Sequence, residues 1–450
     1  MLFGVPVLNR TLISMVLLLT ASVALISCGS STPSSTSGKH SGLKFRAFIS
    51  NPLLPVSGGT APVVNIVDAS KDVLSGSIVN VQGSSPQPGL MALSPNLLFT
   101  MVFSPTGNTV AVIDNTTESI AQTTTGTIAS AVPTITLPGR TESMVIGNDN
   151  ATGYAAVPTA PLTGQNPGAV EVLNLQTGSI KASIPVPGAH FLALSPDGSH
   201  VLVFSDNSDT VTVINTILVG TSSDPRSYIT GFDRPVWGIF SDNATAYVLN
   251  CGPQCHGVAA GVSVLAAGFP APGDTVAFSG TTIPTSAATV GLLSGSVLYV
   301  AGTPPGLACG SGTAAPTCGK LSVIDTGSLT VTGSAIITDG RHQRMEITAD
   351  GQLFIGAHDC TNIQVLNGEV RGCLSIFNSA TSAVVIPPQI GDVTGIQPIT
   401  GRAVVYVVQN TALGIYDTTT DKLQFTTNTT QNANGQIDIV GQPFDVKLVD

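Results

Sequence analysis

The chain has 450 residues, 42% of them hydrophobic and only 9% charged, with 48 glycines, 30 prolines and a net charge of -10. An average soluble domain carries about 25% charged residues, so Thr, Ser and Asn must supply much of the polar surface. The acidity is spread thinly and no Lys/Arg run occurs, which argues against a nucleic-acid partner and reads as a device for solubility.

In chain order, the first element is an address. Residues 1–27 carry Arg10 and then an apolar run over 12–26. That run is too short to span a bilayer and suits the core of a signal peptide. It ends in Leu25-Ile26-Ser27-Cys28, which resembles a bacterial lipobox. The resemblance implies that Cys28 is acylated and becomes the first residue of the mature protein. Residues 28–42 are rich in Ser, Thr, Gly and Pro, the composition of a flexible tether with a reach on the order of 20 Å. The expected localisation is the cell envelope, held by lipid. Gly29 beside the Cys favours the outer membrane in a Gram-negative cell.

Residues 43–450 contain one phrase eight times: apolar residues alternating with others, closed by Asp or Asn. The copies are Val64-Asn65-Ile66-Val67-Asp68, Val110-Ala111-Val112-Ile113-Asp114, Val170-Glu171-Val172-Leu173-Asn174 and Val211-Thr212-Val213-Ile214-Asn215. They continue with Leu321-Ser322-Val323-Ile324-Asp325, Leu374-Ser375-Ile376-Phe377-Asn378 and Leu413-Gly414-Ile415-Tyr416-Asp417. A weaker copy, Val262-Ser263-Val264-Leu265, lacks the acid. Alternation is the signature of a strand, and Asp or Asn starts a turn. The mean interval is about 50 residues, near the length of a propeller blade. A second strand precedes each copy, and an inner strand precedes that one, so each unit holds four short strands. The spacing predicts an all-β chain forming a single β-propeller of about eight blades, with seven as the alternative if two weak units merge. The first unit lacks an inner strand, and residues 443–449 form a lone one. The last strand is therefore expected to pair with residues 45–50 and close the ring.

Val323-Ile324-Asp325-Thr326, Ser195-Pro196-Asp197-Gly198 and Tyr247-Val248-Leu249-Asn250 resemble bacterial YVTN-type and lactonase-like propeller repeats. The resemblance spans the whole of 43–450 and implies the fold. It says little about activity, because propellers host unrelated functions. Lactonase-like propellers use His, Arg and Glu at the channel mouth, and His342, Arg344 and Glu346 could fill such roles.

Six cysteines follow Cys28. The repeat frame places each neighbouring pair between the second and third strands of one blade, so the expected disulfides are Cys251–Cys255, Cys309–Cys318 and Cys360–Cys373. Each would contribute about 2–3 kcal/mol by closing a short loop. A metal site at these cysteines would need reduced thiols, and none is expected; no cofactor motif is present either. Walker loops, Gly-x-Ser-x-Gly elbows and His-Glu-x-x-His are absent from the sequence.

In a propeller, the segments leading into the inner strands meet the loops between second and third strands on one face. The chain has nine arginines, and Arg140, Arg234, Arg341 and Arg344 all fall in such lead-in segments. Glu142, His190, the lone Trp237, His342 and Glu346 accompany them. The bland alternative is that the arginines pair with Glu142, Asp233 and Glu346 to join blades. The functional alternative is a ligand face for an anionic small molecule or an acidic partner segment. Three functions compete: a binding or protein-interaction propeller on the envelope, a lactonase-like hydrolase, and a purely structural surface component. Binding is preferred over catalysis, since no catalytic motif can be matched residue by residue.

Overall fold

A computed structural model describes residues 36–37, 40–56, 59–81, 88–125, 128–266, 268–307, 317–360, 363–364, 370–424, 435–437 and 439–450. The expected signal peptide, Cys28, most of the expected tether and Cys309 lie outside the described residues. Most strands of residues 37–450 assemble into eight mainly antiparallel sheets that follow one another in chain order, and Gln122–Thr125 with Ile128–Ala131 and Ile363–Gln364 with Val370–Arg371 form two further two-stranded ladders. Each sheet is one blade of a ring.

The repeated phrase is the third strand of every blade: Gly59–Asp68, Thr109–Asp114, Ala169–Asn174, Thr210–Asn215, Gly261–Leu265, Gly319–Asp325, Leu374–Asn378 and Ala412–Asp417. Its apolar residues are buried on both faces because blades stack face to face. In blade three, Val170 and Val172 pack toward blade four, while Ala169 and Leu173 pack toward blade two. One apolar cluster fills each of the eight interfaces between neighbouring blades, so the core is a circle of layers. The terminal Asp or Asn turns the chain outward. Asp114 Oδ1 accepts from the amides of Thr116 and Thr117 at 2.8 and 3.2 Å. Asn174, Asn378 and Asp417 repeat the same Asx turn.

The copy without the acid behaves differently. After Gly261–Leu265 the chain does not hairpin directly. It first lays Thr275–Ala277 parallel to Arg226–Thr230, the outer strand of blade four, and then returns as Thr282–Pro284, the outer strand of blade five. Missing turn chemistry thus marks a real departure in the backbone, yet both blades remain and the ring has eight.

Closure is by the C-terminal strand. Val446, Lys447 and Leu448 pair with Ile49, Phe48 and Ala47, giving blade one its inner strand. Arg46 locks the joint: its guanidinium donates to both carboxylate oxygens of Asp450 at 2.7 and 2.5 Å and to Glu118 at 3.0 Å. Asp445 adds a bridge to blade two by accepting from the Met91 amide at 2.9 Å.

Two of the expected disulfides are formed, Cys251–Cys255 and Cys360–Cys373, each with Cα atoms 5.6 Å apart. Cys318 is disulfide-bonded too, but Cys309 is outside the described residues.

Candidate functional site

The inner strands run around the axis, and at the end where chain segments lead into them a cavity of about 520 Å³ opens. All eight blades contribute to its lining, from Phe444 of the closing segment and Leu90 and Phe103 of blade two to Thr394 of blade eight. Local backbone irregularity shapes it. In blades four, five, seven and eight the ladder between inner and second strands slips by one residue, at His190, Val236, Gln343 and Thr394. A β-bulge re-aims the extra residue out of the ladder. All four extra residues line the cavity.

One side of the lining is aromatic. Phe191 and Trp237 stack with centroids 3.7 Å apart and planes 18° apart, and Phe191 meets Phe204 at 6.1 Å. Gly238 makes this possible: a Cβ there would come within 2.4 Å of the Phe204 ring. Phe103 and Phe444 complete the wall.

The remainder is mostly cationic. His190 stands between two acids, with Nε2 3.3 Å from Glu142 and Nδ1 2.9 Å from Asp206, the latter approach lying off the line of the N–H. Asp206 and Glu142 hold the imidazole charged, raising its pKa to about 10. His190 in turn depresses Glu142 to about 2, with smaller help from Arg140 and Arg341. Arg341 pairs with the exposed Asp359 at 2.9 Å. Arg344 is half-buried and tied to backbone: Nε donates to the Thr394 carbonyl at 2.9 Å and Nη1 to the Gln343 carbonyl at 3.3 Å. Among the described residues no carboxylate lies within ion-pairing distance of Arg344 or Arg140. The other two histidines here are neutral. Burial depresses His342 to about 4, with Nε2 2.9 Å from the Thr338 carbonyl. Burial also lowers His358, against the pull of Asp392 3.7 Å away and with help from Arg344 and Arg341. Charged lining groups are thus Arg140, His190, Arg341 and Arg344 against Glu142 and Asp206, a positive excess in a chain of net charge -10.

Of the residues singled out in the sequence, Arg140, Glu142, His190, Trp237, Arg341, His342 and Arg344 line the cavity. Arg234 and Glu346 do not. Arg234 sits in a turn with φ of 56° and reaches back to blade four, donating to the Asn207 carbonyl and standing 3.8 Å from Asp209. Its partner is Asp209, not the adjacent Asp233, which accepts from the amides of Val258 and Ala259. Glu346 lies further along the same inner strand as Arg344, beside the Lys447–Asp445 pair, and burial raises its pKa. The sequence reading missed Phe103, Phe191, Phe204 and Phe444, whose alternation reads as ordinary core. It also missed Asp206, which follows the second strand of blade four.

The architecture is that of an eight-bladed β-propeller. No protein-family model matches the chain, and no curated protein sequence matches it. Solved structures similar in fold include the dihydro-heme d1 dehydrogenase NirN in complex with DHE, at 14% identity and TM-score 0.58, covering 90% of this chain and 75% of that one. The C-terminal WD40 domain of Sif2 matches at 7% identity and TM-score 0.54, covering 84% and 93%. The periplasmic gluconolactonase PpgL of Pseudomonas aeruginosa matches at 14% identity over 90% and 99%, with a TM-score of 0.45 that carries no argument. At these identities the likeness extends to the fold alone.

Proposed function

We propose that this propeller is a small-molecule binding protein whose ligand is an anion held in the channel mouth. The observation that carries the reading is Arg344. Its guanidinium is half-buried in the cavity lining, fixed by two carbonyls, and makes no ion pair, the Glu346 carboxylate acting on it only at longer range. Holding a cation there without a partner is costly unless something anionic arrives, and Arg presents its free donors in the fork that carboxylates and phosphates match. The test is a thermal-shift panel of carboxylates and phosphates on the wild type and on an Arg341→Ala, Arg344→Ala double variant. A ligand at about 100 times its Kd stabilises by about 2.7 kcal/mol. Anions are expected to raise the melting temperature of the wild type and not of the variant. A variant that melts early but keeps its response to anions would reduce the arginines to blade fasteners.

A lactonase-like hydrolase is the second reading. It receives less support from the same geometry: His342, depressed to about 4, is a weak base at neutral pH, and Glu346 stands outside the cavity lining. A purely structural role would leave a guanidinium without an ion pair unexplained, whereas an acidic segment of a protein partner would engage the same arginines.

We further propose that the protein works at the cell envelope, tethered by acylated Cys28. The support is the lipobox-like Leu25-Ile26-Ser27-Cys28 and the disulfides, which persist in oxidising compartments. Cys28→Ser is expected to move the protein from the membrane fraction to the soluble fraction. A variant that stays with the membrane would refute the anchor.

A further inference from the structure

We propose that the ligand of the channel mouth is a planar aromatic acid, its ring laid against the Trp237–Phe191 stack and its carboxylate on Arg344. This rests on the anion-binding reading above and goes further by specifying what carries the anionic group.

Three observations converge. The first is the character of the apolar wall. Phe191 and Trp237 are stacked nearly parallel; both are partly buried against the cores between blades, and both line the cavity. Aromatic rings left at a cavity wall in this arrangement offer flat faces, which gain most from another flat π-system. The second is the excess of cations in the lining, Arg140, His190, Arg341 and Arg344 against Glu142 and Asp206, which makes an anionic group the favoured polar end of the ligand. The third is the distribution of charge around the axis. The stack belongs to blades four and five and Arg341 and Arg344 to blade seven, while the other cations, Arg140 and His190, belong to blades three and four. An elongated molecule lying on the stack with its anionic end on Arg344 spans the axis, and a cavity of about 520 Å³ holds one of two fused rings.

The chain supplies its own reporter, since Trp237 is its only tryptophan. Affinities of the full-length protein are measured by calorimetry for 2-naphthoate, for its fully saturated decalin analogue and for the neutral 2-naphthalenemethanol, with Trp237 emission followed in parallel. We expect 2-naphthoate to bind up to ~10-fold tighter than the saturated acid and to quench Trp237. Trp237→Leu and, separately, Phe191→Leu should each cost 2-naphthoate more affinity than the saturated acid, so that the preference shrinks toward unity. Using both variants guards against one of them failing to fold. If the two acids bind equally, the aromatic assignment is overturned and the anion site stands. If the alcohol binds as well as the acid, the anion reading itself fails. If none binds at millimolar concentration, both are overturned.

Discussion

His190 is the residue whose surroundings carry the clearest pH signature. Asp206 and Glu142 raise its folded pKa to about 10 from an ordinary value of 6.5. A raised cationic pKa means that the pairing stabilises the fold fully below pH 6.5 and loses that contribution as pH climbs toward 10. Glu142, lowered to about 2, behaves oppositely and loses its share only as the solution becomes strongly acidic. Because roughly two-fifths of the His190 side chain and nearly half of the Glu142 side chain remain exposed, water screens the pair and holds its worth to the order of 1 kcal/mol. His190→Gln should therefore melt below the wild type at pH 6, with the gap narrowing steadily and closing near pH 10. A gap that stays constant across this range would show that His190 is uncharged in the folded protein.

At the scale of single elements, two kinds of information separate. The third strands were legible because period-two alternation and the Asx turn are local: Val170-Glu171-Val172-Leu173-Asn174 carries both the strand and the instruction to end it. Closure by the C-terminal strand was legible as well, from the absence of an inner strand before residue 46. The bulges at His190, Val236, Gln343 and Thr394 were not, because a one-residue slip is set by how inner strands crowd around the axis, not by nearby sequence. The same holds for the wall of Phe103, Phe191, Phe204 and Phe444. A phenylalanine alternating with small residues looks the same whether it faces a neighbouring blade or a cavity. Arg234 shows the converse error. Its position in a lead-in segment placed it with the others, but a left-handed turn sends its side chain to Asn207 and Asp209. The excursion through Thr275–Ala277 left one trace in the sequence, the missing acid after Leu265, although nothing local specified which neighbour the strand would join.

For the molecule as a whole, the seam between its two ends is the point of greatest leverage. Arg46 is almost fully buried, and Glu118 beneath it is buried more completely still. Substituting Arg46 by Met would leave Glu118 without its cation and release the Asp450 carboxylate. Loss of one partner from a buried pair costs about 3–5 kcal/mol. Arg46→Met is therefore expected to lower unfolding free energy by that amount in denaturant titrations, whereas Arg226→Met, whose partner Asp224 is largely exposed, should change it by less than about 1 kcal/mol. Equal effects at the two positions would mean the seam contributes no more than the surface.

The pairing of Arg46 with Asp450 across 404 residues of chain also has a temporal side. At roughly 5–20 residues per second, the ribosome needs on the order of 20–80 s to travel from one half of the seam to the other. Throughout that interval the strand around Ala47–Ile49 presents unpaired amides and carbonyls, an invitation to any other extended chain nearby. Phe444, two residues before Val446, the first paired position of the closing strand, is made together with it. The cavity is thus complete only once the closing segment that carries Phe444 has been made.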